Sequence, residues 1–340
     1  MRRTGFLSLI FIGLSAILFA QPSVLNQTDK DGKKQGHWIK KEENGKIIYE
    51  GNFKDNHPIG EFKYYYDDGQ LKTVSVFSND GKVCRSKHYF SGNILMAEGK
   101  YVNEKRDSIW KFYSARDTIF SIETYKNGKK DGLEKSFSPA GKLIQEKNWK
   151  DSILNGVFKK YYDDGTLKEE EVYNNGVIDG EIKFYFPGKI ISCIGHYQHS
   201  VKHGKWIFYS RNGVVTIGSE NYNLGKLDGD FNEWYDNGKP KVKGQYKSDK
   251  PEGKWQYWDK KGNLDKEENY IDGAHHGYYA EYTDDGKKKT EGEFYFGYKT
   301  GKWIEWHDDL QASTEKTYDS IDKLKKKILA EQKKSKSTNE

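Results

Sequence analysis

The chain has 340 residues, of which 34% are hydrophobic, 15% aromatic and 32% charged, with a formal net charge of +6. The hydrophobic share lies below the roughly 45–50% of ordinary globular domains, which excludes a thick aliphatic core and leaves a thin one built from rings. When the two arginines of residues 1–20 and the eight lysines and four acids of residues 316–340 are set aside, the 57 basic and 51 acidic residues leave 47 of each, so the body lacks the basic excess of a nucleic-acid binder.

Residues 1–20 read as a signal peptide. Arg2 and Arg3 make a basic start, Phe6 to Phe19 is apolar but short for a membrane span, and Ala20 offers a small residue before Gln21. No Cys follows to carry a lipid anchor. The expected location is outside the cytoplasm: periplasmic, outer-membrane-associated or secreted. Residues 21–35 are expected to be a linker.

From residue 36 to 311 a 24-residue period governs the chain. Gly stands at 36, 60, 132, 156, 180, 204, 229, 253, 277 and 301, with one 25-residue step after Gly204, and Cys84 and Ser108 hold the frame in between. Counting the frame residue as position 0, position 2 is usually large and apolar, as in Phe62, Trp110, Trp206, Trp255 and Trp303. Position 5 is nearly always aromatic, as in Tyr65, Tyr161, Trp234, Trp258 and Trp306, and position 17 is aromatic again, as in Phe77, Tyr101 and Tyr246. All nine Trp fall on these columns, which marks them first as repeat core. Trp206, Trp234, Trp255, Trp258, Trp303 and Trp306 are the candidate core or binding aromatics.

A second Gly column at position 9 follows Asp, Asn or Lys, as in Asp163-Asp164-Gly165. Such pairs favour tight hairpin turns in which both central residues take positive φ. A further turn at positions 19–23, such as Asn175-Gly176-Val177-Ile178-Asp179, joins each hairpin to the next. The segments between turns are short and rich in Tyr, Trp, Phe, Val and Thr, so they read as strands, and no apolar spacing of helical type appears. The expected fold class is all-β: an elongated array of about twelve antiparallel hairpins in one twisted sheet, with a short C-terminal helix.

These columns resemble the MORN repeat family in its slightly longer bacterial variant. Gly253-Lys254-Trp255-Gln256-Tyr257-Trp258 with Gly262, Tyr270 and Gly273 carries the resemblance, as does Gly156 with Phe158, Tyr161, Gly165, Tyr173 and Gly176. The copies that begin at Cys84 and Ser108 depart from it, and a bend or weaker hairpin is expected there. The resemblance implies a sheet with no active site of its own. It also implies roles as a scaffold, as a membrane- or partner-binding module or, in one bacterial branch, as an antitoxin of toxin–antitoxin systems.

Other constellations are absorbed by the frame. Cys84 and Cys193 lie on copies roughly 40 Å apart at the strand spacing, beyond the roughly 7 Å that a disulfide spans, so no bond between them is expected. His196, His199 and His203 have a spacing that suggests metal, but His203 shares the polar turn column with Asp131, Asp179 and Asp228. Asp67-Asp68 and Asp284-Asp285 sit at turn positions. No nucleophile motif or phosphate loop appears, so neither catalysis nor a metal or cofactor is expected. Lys168-Glu169-Glu170-Glu171 reads as a solvated face with cross-strand charge pairs.

Near Glu315 the pattern changes. Tyr318, Ile321, Leu324 and Ile328 follow helical spacing among Lys325-Lys326-Lys327 and Lys333-Lys334, so residues 312–340 are expected to form a Lys-rich helix that caps the last hairpin, followed by a tail. Its lysines suggest weak association with acidic surfaces. The expected function is an exported, non-catalytic repeat scaffold that binds a protein partner or the cell envelope. The alternatives are a carbohydrate-binding module that uses the aromatic columns and an antitoxin-type inhibitor.

Overall fold

The computed structural model describes residues 24–78, 80–307 and 312–337, with side chains described as far as 331. The segment read as a signal peptide and the Lys333 and Lys334 side chains lie outside the described residues. The chain divides into two compact units, Met1–Asp117 and Thr118–Glu340. Both are built from antiparallel strands in hairpin order, and the single described helix is Ile321–Ser337.

In the first unit each strand pairs with the next in sequence, from Gln27–Thr28 and Lys34–Lys41 to Leu95–Val102 and Lys105–Tyr113. The strand Gln27–Thr28 lies within the expected linker, where its two residues pair with Gln35 and Lys34. The copy at Cys84 is a complete hairpin, Val83–Tyr89 on Leu95–Val102, with the register shift seen in its neighbours. The expected weaker hairpin is not found in this copy, because its backbone pairs do not need the missing Gly. The copy at Ser108 runs across the boundary between the units.

The second unit repeats the same hairpin from Gly132–Phe137 on Leu143–Lys150 to Tyr298–Trp306 on Ser313–Thr317. Its inter-hairpin strands are often interrupted at position 23, the residue just before the frame glycine. At Gly156, φ is +107°, and the neighbouring Asn155 amide donates to the Asn148 carbonyl at 2.9 Å. The Asn148 side chain then donates to the Val157 carbonyl at 2.6 Å, which clamps the two strands across the glycine. A side chain at Gly156 would be strained by that φ and would crowd Asn148. Position 23, read as a turn residue, contributes its backbone amide, and the side-chain clamp is Asn148 at position 16.

The turns at position 9 differ from expectation. At Tyr162–Thr166 the Tyr162 amide donates to the Thr166 carbonyl and only Gly165 takes positive φ, at +81°. This is a type I turn closed by a glycine bulge, and it shifts the register between Lys160 and Tyr161. Paired positive φ occurs instead in the connecting turns, as at Asn175 (+49°) with Gly176 (+86°) and at Asp151 (+51°) with Ser152 (+68°). Those turns have only two residues between strands, so they take the primed geometry that matches strand twist.

Alternation along each strand separates two faces. Positions 2, 15 and 17 line the ring face. On the other face, position 3 meets position 14 in pairs such as Lys159–Glu170 at 3.2 Å and Lys135–Glu146 at 3.1 Å. The position-5 tyrosines also bond to position 14: Tyr65 donates to Glu50 at 2.5 Å, Tyr113 to Glu98 at 2.8 Å and Tyr161 to Glu146 at 2.6 Å. Burial, and then the adjacent Glu50 carboxylate, push the Tyr65 phenol up to about 12.

Candidate functional site

The ring face is assembled from one repeated seat. A position-2 ring lies flat on the position-15 residue of the preceding strand, and the largest rings lie on glycine. Gly51 sits beneath Phe62, Gly99 beneath Trp110, Gly195 beneath Trp206, Gly244 beneath Trp255 and Gly292 beneath Trp303, and a Cβ at any of these glycines would fall inside the ring. A position-17 ring meets each edge of the seat. Trp255 has Tyr246 at 5.1 Å and Tyr270 at 6.2 Å, and Phe62 has Phe53 at 5.1 Å and Phe77 at 5.3 Å, all edge-to-face. A cation two residues before the frame position often covers the ring: Lys34 lies 4.7 Å from the Trp38 centroid, Arg106 4.8 Å from Trp110, Lys202 4.3 Å from Trp206 and Lys299 3.9 Å from Trp303. The result is near-complete burial in a sheet only one layer thick: Trp110 is 0% exposed and Trp255 4%.

In two copies of the second unit position 2 holds no ring: it is Ile182, buried with Cys193 and Trp206, and Glu134, which takes Lys130 at 2.6 Å and Lys147 at 3.9 Å. In the first unit, position 2 of the Cys84 copy is Ser86. Its hydroxyl pairs with that of Ser75, the residue in the glycine place, at 2.7 Å, and both serines are buried. This pair lines a cavity of about 720 Å³ together with Tyr64, Phe77, Lys82, Cys84, His88 and Tyr101.

The polar atoms of the cavity are ordered. His88 Nδ1 lies 3.0 Å from the Thr73 hydroxyl, its Nε2 lies 3.3 Å from the Tyr101 hydroxyl, and its ring stacks on Trp110. Burial, and then the Arg106 charge, hold the His88 imidazole below its ordinary range, so it stays neutral at physiological pH. Burial, and then Cys84, push the Tyr64 phenol up. The cavity thus combines an aromatic frame and a paired serine hydroxyl with charged Lys72, Lys82 and Glu104 in its lining.

The second unit carries carboxylates on its ring face. Glu169 and Glu171 are both buried, which corrects the reading of Lys168–Glu171 as a solvated face: alternation turns Glu169 and Glu171 inward and leaves Glu170 to pair outside with Lys159. Burial, and then the hydrogen bond with Glu169, push the Glu171 carboxyl up to about 7. Burial opposes ionisation of Glu169 as well, but hydrogen bonds from Glu171 and from Lys160, at 2.7 Å, outweigh it and keep Glu169 low. Farther on, the fully buried Glu268 meets Lys266 at 3.1 Å and His275 at 3.6 Å in a groove of about 490 Å³.

The MORN repeat variant matches six stretches, residues 34–55, 58–79, 130–151, 154–175, 227–248 and 251–272. The chain is a MORN-repeat protein. No curated protein matches it at a significant level. Among solved structures, it overlaps with a TcdB2-TccC3-TEV complex at 11% identity and a TM-score of 0.18, over 80% of this chain and only 17% of that one. It overlaps with the Photorhabdus luminescens Tc holotoxin pore at 11% identity and 0.17, over 83% and 18% of the two chains. A porin-like protein from Bacteroides uniformis overlaps at 9% identity and 0.17, over 75% and 86%. Such scores do not place the chain in either fold.

The six candidate Trp of this MORN-repeat protein split by column. Trp206, Trp255 and Trp303 are buried in seats, whereas Trp234, Trp258 and Trp306 at position 5 are half-buried. Cys84 and Cys193 are both buried free thiols, one in each unit, and burial pushes the Cys193 thiol up to about 11. His203 donates its amide to the His196 carbonyl at 2.9 Å across the clamp, and His199 takes the positive φ of a connecting turn. Among the described residues no three His, Cys, Asp or Glu cluster as a metal site would require, and no helix is long and apolar enough to cross a membrane.

Tyr318 belongs to the array and not to the helix stripe. It is the last position-17 ring, edge-on to Trp303 at 6.4 Å, and the strand Ser313–Thr317 precedes it. The helix begins at Ile321 and buries Leu324, while the Thr300 hydroxyl donates to the Asp319 carbonyl at 2.8 Å. Sequence reasoning missed the seat's glycine and its cation. Both were visible as columns: Gly at position 15 in Gly51, Gly99, Gly195, Gly244 and Gly292, and Lys or Arg two residues before the frame.

Proposed function

We propose that this MORN-repeat protein is an exported, non-catalytic scaffold that binds a protein partner or the cell-envelope surface. One observation carries the reading: the recurring polar columns are engaged with neighbouring repeats. Tyrosine hydroxyls bond position-14 carboxylates, lysines pair across strands, and cations cover rings. What such a chain offers is surface. The exposed Lys323, Lys325 and Lys326 of the terminal helix add a basic patch suited to weak contact with acidic surfaces.

Cell fractionation with N-terminal sequencing, followed by cross-linking in the native cell, tests this reading. The expected result is a mature chain that begins at Gln21 in the periplasm, outer membrane or medium and is cross-linked to a defined envelope or protein component. Residence in the cytoplasm would overturn export and favour the antitoxin-type inhibitor. The carbohydrate-binding alternative draws on the half-buried Trp234, Trp258 and Trp306 column, and it requires glycan binding that Trp258→Ala abolishes.

A further inference from the structure

We infer that the cavity above Ser75 and Ser86 seats an aromatic side chain, Tyr, Trp or Phe, presented by a protein partner. The identity of the occupant rests on the scaffold reading; the ring-accepting chemistry of the cavity rests on the seat itself. In complete seats a ring is held by four neighbours: glycine beneath, a cation above and a position-17 ring at each edge. The Cys84 copy retains three of these places. Phe77 and Tyr101 stand in the two position-17 places and line the cavity. Lys82 stands two residues before the frame, in the place from which Lys34, Arg106, Lys202 and Lys299 cover their rings, and it too lines the cavity.

The seat differs in what it lacks. Ser86 supplies only a hydroxyl where Phe62 and Trp110 supply rings on either side, and Ser75 replaces the glycine. Other seats without an aromatic ring are filled from within, by Ile182 or by the Glu134–Lys130 pair. The backbone registers the same difference. The ladders that bring Gly51 beneath Phe62 and Gly244 beneath Trp255 contain a register shift, whereas Leu71–Phe77 pairs with Val83–Tyr89 without one. The ladder is therefore unshifted beneath the open seat, and about 720 Å³ remains open, within the roughly 300–1,000 Å³ of ligand pockets.

The walls select the occupant's chemistry. An ammonium group and the edges of two aromatic rings are both attracted to a π face. A pyranose has no π face to offer Lys82. The Ser75–Ser86 pair keeps one hydrogen bond internal and leaves lone pairs for a phenol O–H or an indole N–H.

Amide NMR of the labelled full chain, titrated with N-acetyl-tyrosinamide and N-acetyl-tryptophanamide beside methyl glucopyranoside, tests the inference. Saturable shifts at Thr73, Ser86 and His88 with the aromatic amides, and none with the glucoside, are expected. Ser75→Gly/Ser86→Trp, which fills the seat from within, is expected to abolish the response. Lys82→Ala, which leaves the floor intact, is expected to weaken it several-fold. No saturable shift with either amide, an equal response to the glucoside or undiminished binding by a folded double variant would overturn the inference. In-cell cross-linking separates it from the scaffold reading. A partner captured equally by the wild type and the double variant leaves the scaffold and removes the seat, whereas amide binding without any captured partner leaves a ring site and removes the scaffold.

Discussion

The copy at Cys84 and the copy at Gly253 share the frame and a register shift before position 5, yet one pairs two hydroxyls beneath an open cavity and the other buries an indole. Their backbones differ at the turn, where Gly92 and Asn93 both take positive φ in one copy and Gly262 alone in the other, and in the ladder, which shifts between Lys243 and Gln245 but runs unshifted beneath Ser86. Within the seat, Ser75 with Ser86 stands in place of Gly244 with Trp255. The comparison teaches that in this array the hairpin is set by its turns and bulges, while the identity of each seat is set by one ring and the residue beneath it. A sheet one layer thick can therefore carry a distinct site in a single copy without disturbing its neighbours.

The largest test of that division removes a ring. Trp255→Ala should cost about 3–5 kcal/mol in denaturant unfolding, the range for deleting a large buried ring. Ser86→Ala, at the same position, should cost no more than about 1–2 kcal/mol, because it forfeits one buried hydroxyl pair. Equal costs would break the comparison. Gly244→Ala should cost about 1–3 kcal/mol by overpacking against Trp255. Its effect should shrink when Trp255 is also Ala, since the added methyl then enters vacated space.

A smaller effect separates the carboxylate seats of the second unit from the cavity of the first. Glu171 keeps its proton in the folded chain up to about 7, whereas in the unfolded chain it ionises near the ordinary carboxylate range, around 4.3. The folded state therefore binds the extra proton, so this contribution is fully present below that range and is lost as pH rises towards 7. Relative to Glu171→Gln, the wild type should lose about 1 kcal/mol of stability across this window, part of the effect being screened by water and Lys160. A flat difference between the two proteins would remove the shared-proton reading of Glu169 and Glu171.

The smallest effect concerns position 5. Tyr161→Phe should cost about 0.5–1.5 kcal/mol, the worth of one hydrogen bond to Glu146, and thermal unfolding of the pair of proteins checks it.

Much of this was legible in the order of residues. The 24-residue frame located every hairpin turn and assigned Trp206, Trp255 and Trp303 to core columns, because a ring on a thin sheet recurs wherever the seat recurs. The position-9 turn differs from expectation because an Asp-Gly pair is compatible with both a primed turn and a type I turn with a bulge. Only strand register, a long-range property, decides between them at Asp164-Gly165. Tyr318 was placed in a helix because its spacing to Ile321 fits a helix as well as a last array ring, and contact with Trp303 settles the matter. The cavity was hidden for a different reason. Ser86 reads as a missing aromatic, and a missing residue says nothing of whether the space closes. Whether it closes depends on Ser75, eleven residues away, and on Phe77, Lys82 and Tyr101 remaining in place.

The central claim is that one ring with one residue beneath it defines a seat. The most direct measurement is the thermal unfolding midpoint of Ser75→Gly/Ser86→Trp against the wild type and each single variant. A ring set on glycine between Phe77 and Tyr101 should raise the midpoint above that of the wild type, whereas Ser86→Trp alone, with the Ser75 side chain still beneath the indole, should lower it. A double variant no more stable than Ser86→Trp alone would contradict the account.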